Sequence, residues 1–251
     1  MIKYLGLWHT ERNLRGRSVC HRPRIRRENL KQFMAMIQFE ISNVKEYVEF
    51  INNNEHQHIA QWFYRGHGNS DFELTPGLFR INNNDAYADW DRIEKYMMTQ
   101  FKNESLPFLK TIPNDETEWL TIAQHYGLPT RLLDWTTNPL VALFFAVEKF
   151  EQVCQANVWM YGVVSVNNCW PESTWMAKKM GLSGDTCKNV IFPKHIDARI
   201  TNQSGCFTIH ESPQRGEKFT PFDQQKDIFS SFIKINISTK NKGNYIADWT
   251  S

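Results

Sequence analysis

A dense polar and aromatic stretch, His125 to Pro139, runs directly into the longest apolar run of the chain, the eight residues Leu140 to Val147. Bounded by Pro139 and Glu148, that run falls well short of the roughly 18 residues a membrane span needs, so protein must bury it. Asn138 and Pro139 predict a helix through Phe150, with Asn138 as N-cap and Pro139 at the first helical position. The polar residues leading into it (His125, Tyr126, Thr130, Arg131, Asp134, Thr136) then lie between buried elements. They need partners, because an unsatisfied buried polar group costs about 1–3 kcal/mol. Two readings of the stretch stay open. In one, Arg131 and Asp134 form a buried ion pair that fixes a loop. In the other, the stretch is the wall of a ligand pocket, and the start of the helix holds an anion.

The rest of the chain predicts an α+β fold. Val44, Tyr47, Val48 and Ile51 share one face of a helix over Ile41–Ile51, capped by Ser42 or Asn43. Gln61–Arg65 reads as a strand stopped by Gly66, and Phe72–Arg80 as a loop or short strand turning at Pro76-Gly77. Tyr87–Leu109 and Glu116–Tyr126 read as helices, the second ended by Gly127. Arg131–Trp135, Asn157–Val166, Ile196–Ile200, Cys206–His210 and Ile228–Ile237 read as strands, and residues 167–195 as a loop around a short helix. Helices come mostly first and strands mostly last, which predicts one domain with a mixed or antiparallel core sheet, helices packed around it. Residues 1–35 are expected to be a poorly ordered basic extension, 36–240 the domain, and 241–251 a polar tail.

Charge is unevenly placed. The chain has 251 residues with a formal net charge of +2. Nine of its 29 basic residues and two of its 27 acidic ones fall in residues 1–35, leaving 20 basic and 25 acidic groups to the rest. The body is therefore mildly acidic, which argues against a nucleic-acid-binding face on the domain itself. The five cysteines include no C-x-x-C pair, and free thiols point to a reducing cytoplasm. No metal site is expected, since His56 with His58, and Cys206 with His210, are too few ligands for one.

A second candidate segment is Phe63-Tyr64-Arg65-Gly66. An arginine near a strand end offers a two-donor fork to phosphate or carboxylate, and the glycine lets a ligand approach the backbone. These residues, Leu74-x-Pro-x-Leu-Phe-Arg80, the run Gln124 to Ala146, Arg199 and Gln203-Ser-Gly-Cys-Phe207 together resemble the FRG (Phe-Arg-Gly) domain family, from about Phe39 to about Ile237. The resemblance implies a bacterial, phage or mobile-element protein acting in a toxin or anti-phage setting.

The order of these motifs is also similar to that of the ADP-ribosyltransferase fold. That likeness implies NAD as ligand and Arg65, Thr136 and Gln203 as the catalytic set, with Glu211 a lesser candidate for the third place. Tyr64, Gly66, His125, Tyr126, Thr130, Arg131, Asp134 and Trp135 would line or brace the pocket, Tyr126 or Trp135 stacking on nicotinamide. The neutral Gln203 departs from the carboxylate such transfer uses, which leaves a non-catalytic binding module as the alternative. Partners implied are a small nucleotide and an unnamed protein or nucleic-acid target, with no membrane.

Overall fold

The structure, a computed structural model, describes residues 10–12, 18–20, 37–53, 59–81, 89–148, 154–164, 190–192, 204–225 and 230–238. The chain divides into two compact units, Met1–Ala35 and Met36–Ser251. In the first, β1 (Thr10–Arg12) pairs antiparallel with β2 (Ser18–Cys20).

The second unit is built on a seven-stranded mixed sheet. Its strands are β3 (Ile37–Ile41), β4 (Ile59–His67), β5 (Leu132–Thr136), β6 (Ala156–Val164), β7 (Val190–Ile191), β8 (Gly205–Ile209) and β9 (Ser230–Ile237). They lie in the order β3-β9-β6-β4-β5-β8-β7. Only β3 and β9 run parallel; the other neighbours are antiparallel. Five helices are described: α1 (Val44–Asn53), α2 (Gly77–Arg80), α3 (Trp90–Ser105), α4 (Glu116–His125) and α5 (Pro139–Val147). This is the expected α+β architecture with a mixed sheet.

Side chains alternate across each strand, so one sequence feeds two cores. Trp62 and Tyr64 of β4, Val158 and Met160 of β6 and the isoleucines of β9 pack under α5 through Ala142, Leu143, Ala146 and Val147. Phe63, Trp159 and Tyr161 point the other way and meet Leu133, Trp135 and Phe222. Helices α3 and α4 cover the β5–β8 end through Met98, Trp119, Leu120 and Ala123 against Leu132, Phe207 and Ile209. The apolar run Leu140–Val147 is therefore helix α5, capped by Asn138, whose Oδ1 accepts from the Leu140 amide at 3.0 Å.

Several expectations about the elements need correction. The segment read as a helix from Ile41 starts at Val44, because Ile41 is paired with Ile237 in the sheet. Phe72–Arg80 ends in the helical turn α2. The helix read to Leu109 stops at Ser105 and tightens into a 3-10 turn at Leu106–Phe108, where Pro107 removes an amide donor. In addition, Val190–Ile191, read as part of a loop, forms the edge strand β7. The strand expected at Ile196–Ile200 lies outside the described residues.

One feature of the sheet positions the site. β4 and β5 are paired at a single point, Tyr64 opposite Thr136. Continuing that register would set Gly66 against Asp134. Instead β4 stays with β6 as far as His67 opposite Asn157. Gly66 lies against α5 so closely that a Cβ there would come within 2.0 Å of the Ala142 carbonyl oxygen and 2.7 Å of the Ala146 amide nitrogen. The strand leans on the helix and parts from β5, opening a gap in the sheet.

Candidate functional site

A cleft of about 440 Å³ lies at that gap, with Arg65, Arg80, Gln124, Thr130, Leu133 and Asp134 among its lining residues. Arg65 bridges the parted strands. Its Nη1 donates to the Asp134 carbonyl oxygen at 2.7 Å and to the Asp134 Oδ2 at 3.2 Å. The guanidinium thus takes the place of the β4 amide that would have satisfied that carbonyl in a continuous ladder. Its Nε donates to His67 Nε2 at 2.9 Å.

His67 must therefore be neutral, with Nε2 bare. Burial, and next the adjacent Arg65 charge, lower its pKa to about 3. Its Nδ1 has no partner at hydrogen-bond geometry, although the Phe72 backbone is close enough to act on it electrostatically.

Asp134 is held from two sides. Gln124 Nε2 donates to its Oδ1 at 2.7 Å, while the Gln124 carbonyl accepts from the Thr130 hydroxyl. Thr130 Oγ1 in turn accepts from the Leu132 amide at 3.1 Å. This relay ties α4, the 127–130 loop and β5 together. Gly127, at φ +88°, makes the turn from α4 into that loop, a conformation that favours glycine. The Asp134 carboxylate nonetheless remains 58% exposed, against 19% for the Arg65 side chain. Arg80, at the end of α2, is exposed and has no hydrogen-bond or ion-pair partner among the described residues. Burial first, then the positive charge of Arg65, lower its pKa, and Asp134 opposes the shift.

Arg131 does not pair with Asp134. Its Nε donates to Glu94 Oε2 at 2.6 Å and its Nη2 to Asp91 Oδ1 at 2.8 Å, both on α3. Burial disfavours its charge, but the bonds to Glu94 and Asp91 prevail and raise its pKa. The reading of an Arg131–Asp134 bridge is corrected: both ions sit on β5 or just before it, and each finds its partner on a different element.

The other expected residues divide by face. Tyr64 is buried under α5. Trp135 is 3% exposed, and its indole Nε1 donates to Thr208 Oγ1 at 2.9 Å, which is itself 2.9 Å from His210 Nε2. It presents no free ring to a ligand. Thr136 is buried, and its Oγ1 accepts from the Asn138 amide at 3.0 Å, which sets the turn into α5. His125 is half-buried at the end of α4, and Tyr126, 67% exposed, packs edge-on against it. Glu211 is exposed just beyond β8. Gln203 lies outside the described residues. Sequence reasoning gave no role to His67, Arg80 or Gln124. The last two were visible as ends of the quoted motifs, but only the structure shows that these ends meet. Among the described residues no group of three or more His, Cys, Asp or Glu is placed to hold a metal ion. No described helix is long and apolar enough to cross a membrane.

Residues 60–154 match the FRG domain. That stretch is an FRG domain. All the cleft residues named above fall inside the matched stretch, which is narrower than the resemblance from Phe39 to Ile237. No curated protein and no solved structure matches the chain.

Proposed function

We propose that the FRG cleft binds NAD or a related nucleotide and serves ADP-ribosyl transfer or NAD cleavage in a bacterial toxin or anti-phage setting. One observation carries the reading: a strand-end guanidinium and an open carboxylate, Arg65 and Asp134, are fixed against each other on a single cleft. The cleft volume of about 440 Å³ lies within the roughly 300–1,000 Å³ of small-ligand pockets. Asp134 supplies the negative charge that Gln203 lacks. A carboxylate there stabilises the oxocarbenium character that develops as the bond from ribose to nicotinamide breaks. In hydrolysis the bonding pair leaves with nicotinamide, water oxygen bonds to the ribose carbon, and the water gives up a proton. Thr136 sets the turn into α5 by accepting from the Asn138 amide, and the third place in the transferase-like motif order falls to Gln203, which lies outside the described residues.

Calorimetric titration with NAD tests the binding. The wild-type chain is expected to bind, and Arg65→Ala, checked for an intact circular-dichroism spectrum, to lose binding. Equal affinity in a folded Arg65→Ala protein sinks the reading. A second reading, a sensing module without catalysis, is favoured by the way Asp134 is already engaged by Arg65 and Gln124. Nicotinamide release separates the two: bound NAD with no release selects the module.

A further inference from the structure

We propose that Arg80, and not Arg65, receives the diphosphate of the ligand, while Arg65 remains a positioning residue bound to Asp134. The inference rests on the nucleotide reading and assigns Arg80 and Asp134 to different parts of the ligand.

The two arginines differ in what they already hold. Arg65 spends its Nε on His67 and its Nη1 on both the carbonyl and the carboxylate of Asp134. These bonds leave Arg65 only its Nη2 donors to offer, and swinging the whole fork toward a ligand would break all three and leave a backbone carbonyl unpaired at the gap between β4 and β5. Arg80 gives up nothing of the kind, since no described residue accepts a hydrogen bond from it. Both side chains line the same cleft, and each end of the fork geometry suits two phosphate oxygens. Among the charged lining residues, two guanidiniums face one carboxylate, which leaves the cleft one positive charge in excess. Burial, and then the nearby charge of Arg65, disfavour the charge on Arg80. A dianionic group on Arg80 offsets that disfavour, whereas an uncharged ligand does not.

The Asp134 carboxylate suits hydrogen-bond donors. Asp134 Oδ1 and Oδ2 are acceptors, one already receiving from Gln124 and one from Arg65, and the carboxylate is mostly exposed. Ribose hydroxyls or an amide NH₂ fit there, and a phosphate does not. A nucleoside diphosphate therefore has one orientation in the cleft: phosphates on α2, sugar toward β5. Arg80 acts from the last position of a single helical turn, and its place is fixed by Leu78 and Phe79, both buried in the α2–α3 cluster.

The full chain is titrated by calorimetry with inorganic pyrophosphate, ADP, NAD and adenosine at fixed ionic strength. Pyrophosphate and ADP are expected to bind and adenosine to bind far more weakly. Arg80→Gln should weaken pyrophosphate by about ten- to a hundredfold, the worth of a charge-assisted hydrogen bond, with its thermal midpoint unchanged. Should Arg80→Gln not fold, Arg80→Lys keeps the charge without the fork, and an intermediate loss is then expected. Lys110→Gln, an exposed charge away from the cleft, controls for bulk electrostatics and should leave affinity unchanged. Pyrophosphate affinity that is the same in Arg80→Gln, or no pyrophosphate binding by the wild type, overturns the proposal. NAD binding that persists without dependence on Arg80 removes Arg80 alone. Absence of binding by every compound removes the nucleotide reading with it.

Discussion

Two buried imidazoles give the molecule a defined response to acid. His67 and His210 both have pKa values lowered from 6.5 to about 3, in each case chiefly by burial. Between these values the unfolded chain binds more protons than the native one, so stability rises with pH across the window and is complete above about 6.5. It is lost as pH falls from 6.5 toward 3, by up to about 1.4 kcal/mol per pH unit for each imidazole. Urea unfolding at pH 7 and pH 5 should show a wild-type loss of about 2 kcal/mol per histidine. The double variant His67→Gln, His210→Gln starts less stable and loses less over the same interval. An unfolding free energy that is flat from pH 7 to 5 in the wild type rules out neutral buried histidines. His67 carries no signal in the sequence, and His210 stands out there only as a metal-ligand candidate beside Cys206. His67 follows Gly66 in what reads as a stop signal, and only the bend of β4 onto α5 carries the strand far enough to bury it. Arg65 and Asp134 were legible as polar residues needing partners, but not as each other's partner. Sequence proximity favoured Arg131 for Asp134, whereas the parted strands place Arg65 across from it.

At the scale of elements, caps and periodicity carried most of the fold. Helix α4 begins at Glu116 behind the N-cap Asp115, whose Oδ1 accepts from the Glu118 amide at 2.9 Å, and ends before Gly127. Helix α5 begins where Asn138-Pro139 requires. What the pattern does not reveal is how closely two elements approach. Gly66 looks like a strand terminator, yet β4 continues through it to His67. Its real role is contact: the Ala142 carbonyl and Ala146 amide of α5 occupy the space of a side chain. Backbone cannot be displaced as a flexible side chain can, so Gly66→Ala pushes β4 and α5 apart. The expected cost is about 1–3 kcal/mol or more, a fall of several degrees in thermal midpoint. Because the β4–α5 contact also opens the gap beside β5, the variant should weaken nucleotide binding along with stability. A midpoint equal to wild type would show that the two elements do not meet as closely as 2.0 Å implies.

At the scale of the molecule, the family segment and the folding unit differ. Residues 60–154 hold most of β4 and all of α2 to α5 and β5, together with the cleft residues. Yet β4 and β5 share one paired position within that segment. The long ladders that hold them come from outside it: β6 pairs along β4 from Ile59 to His67, and β8 pairs along all of β5. The core under α5 likewise needs Val158, Met160 and the isoleucines of β9. The outermost pair, β3 with β9, joins residues nearly the full length of the unit apart, a non-local contact that raises the entropic cost of forming the sheet. The matched segment therefore carries the cleft residues, and the strands after it supply the sheet that holds them. A polypeptide of residues 60–154 alone is expected to show no cooperative thermal transition and to bind hydrophobic dye, since two strand edges and both core faces are left open. The full chain should give one transition by circular dichroism and by tryptophan fluorescence. A sharp, cooperative transition in the 60–154 polypeptide would mean that β4 and β5 pair more extensively than the one position at Tyr64 and Thr136, and the gap that forms the cleft would then belong to the longer chain only.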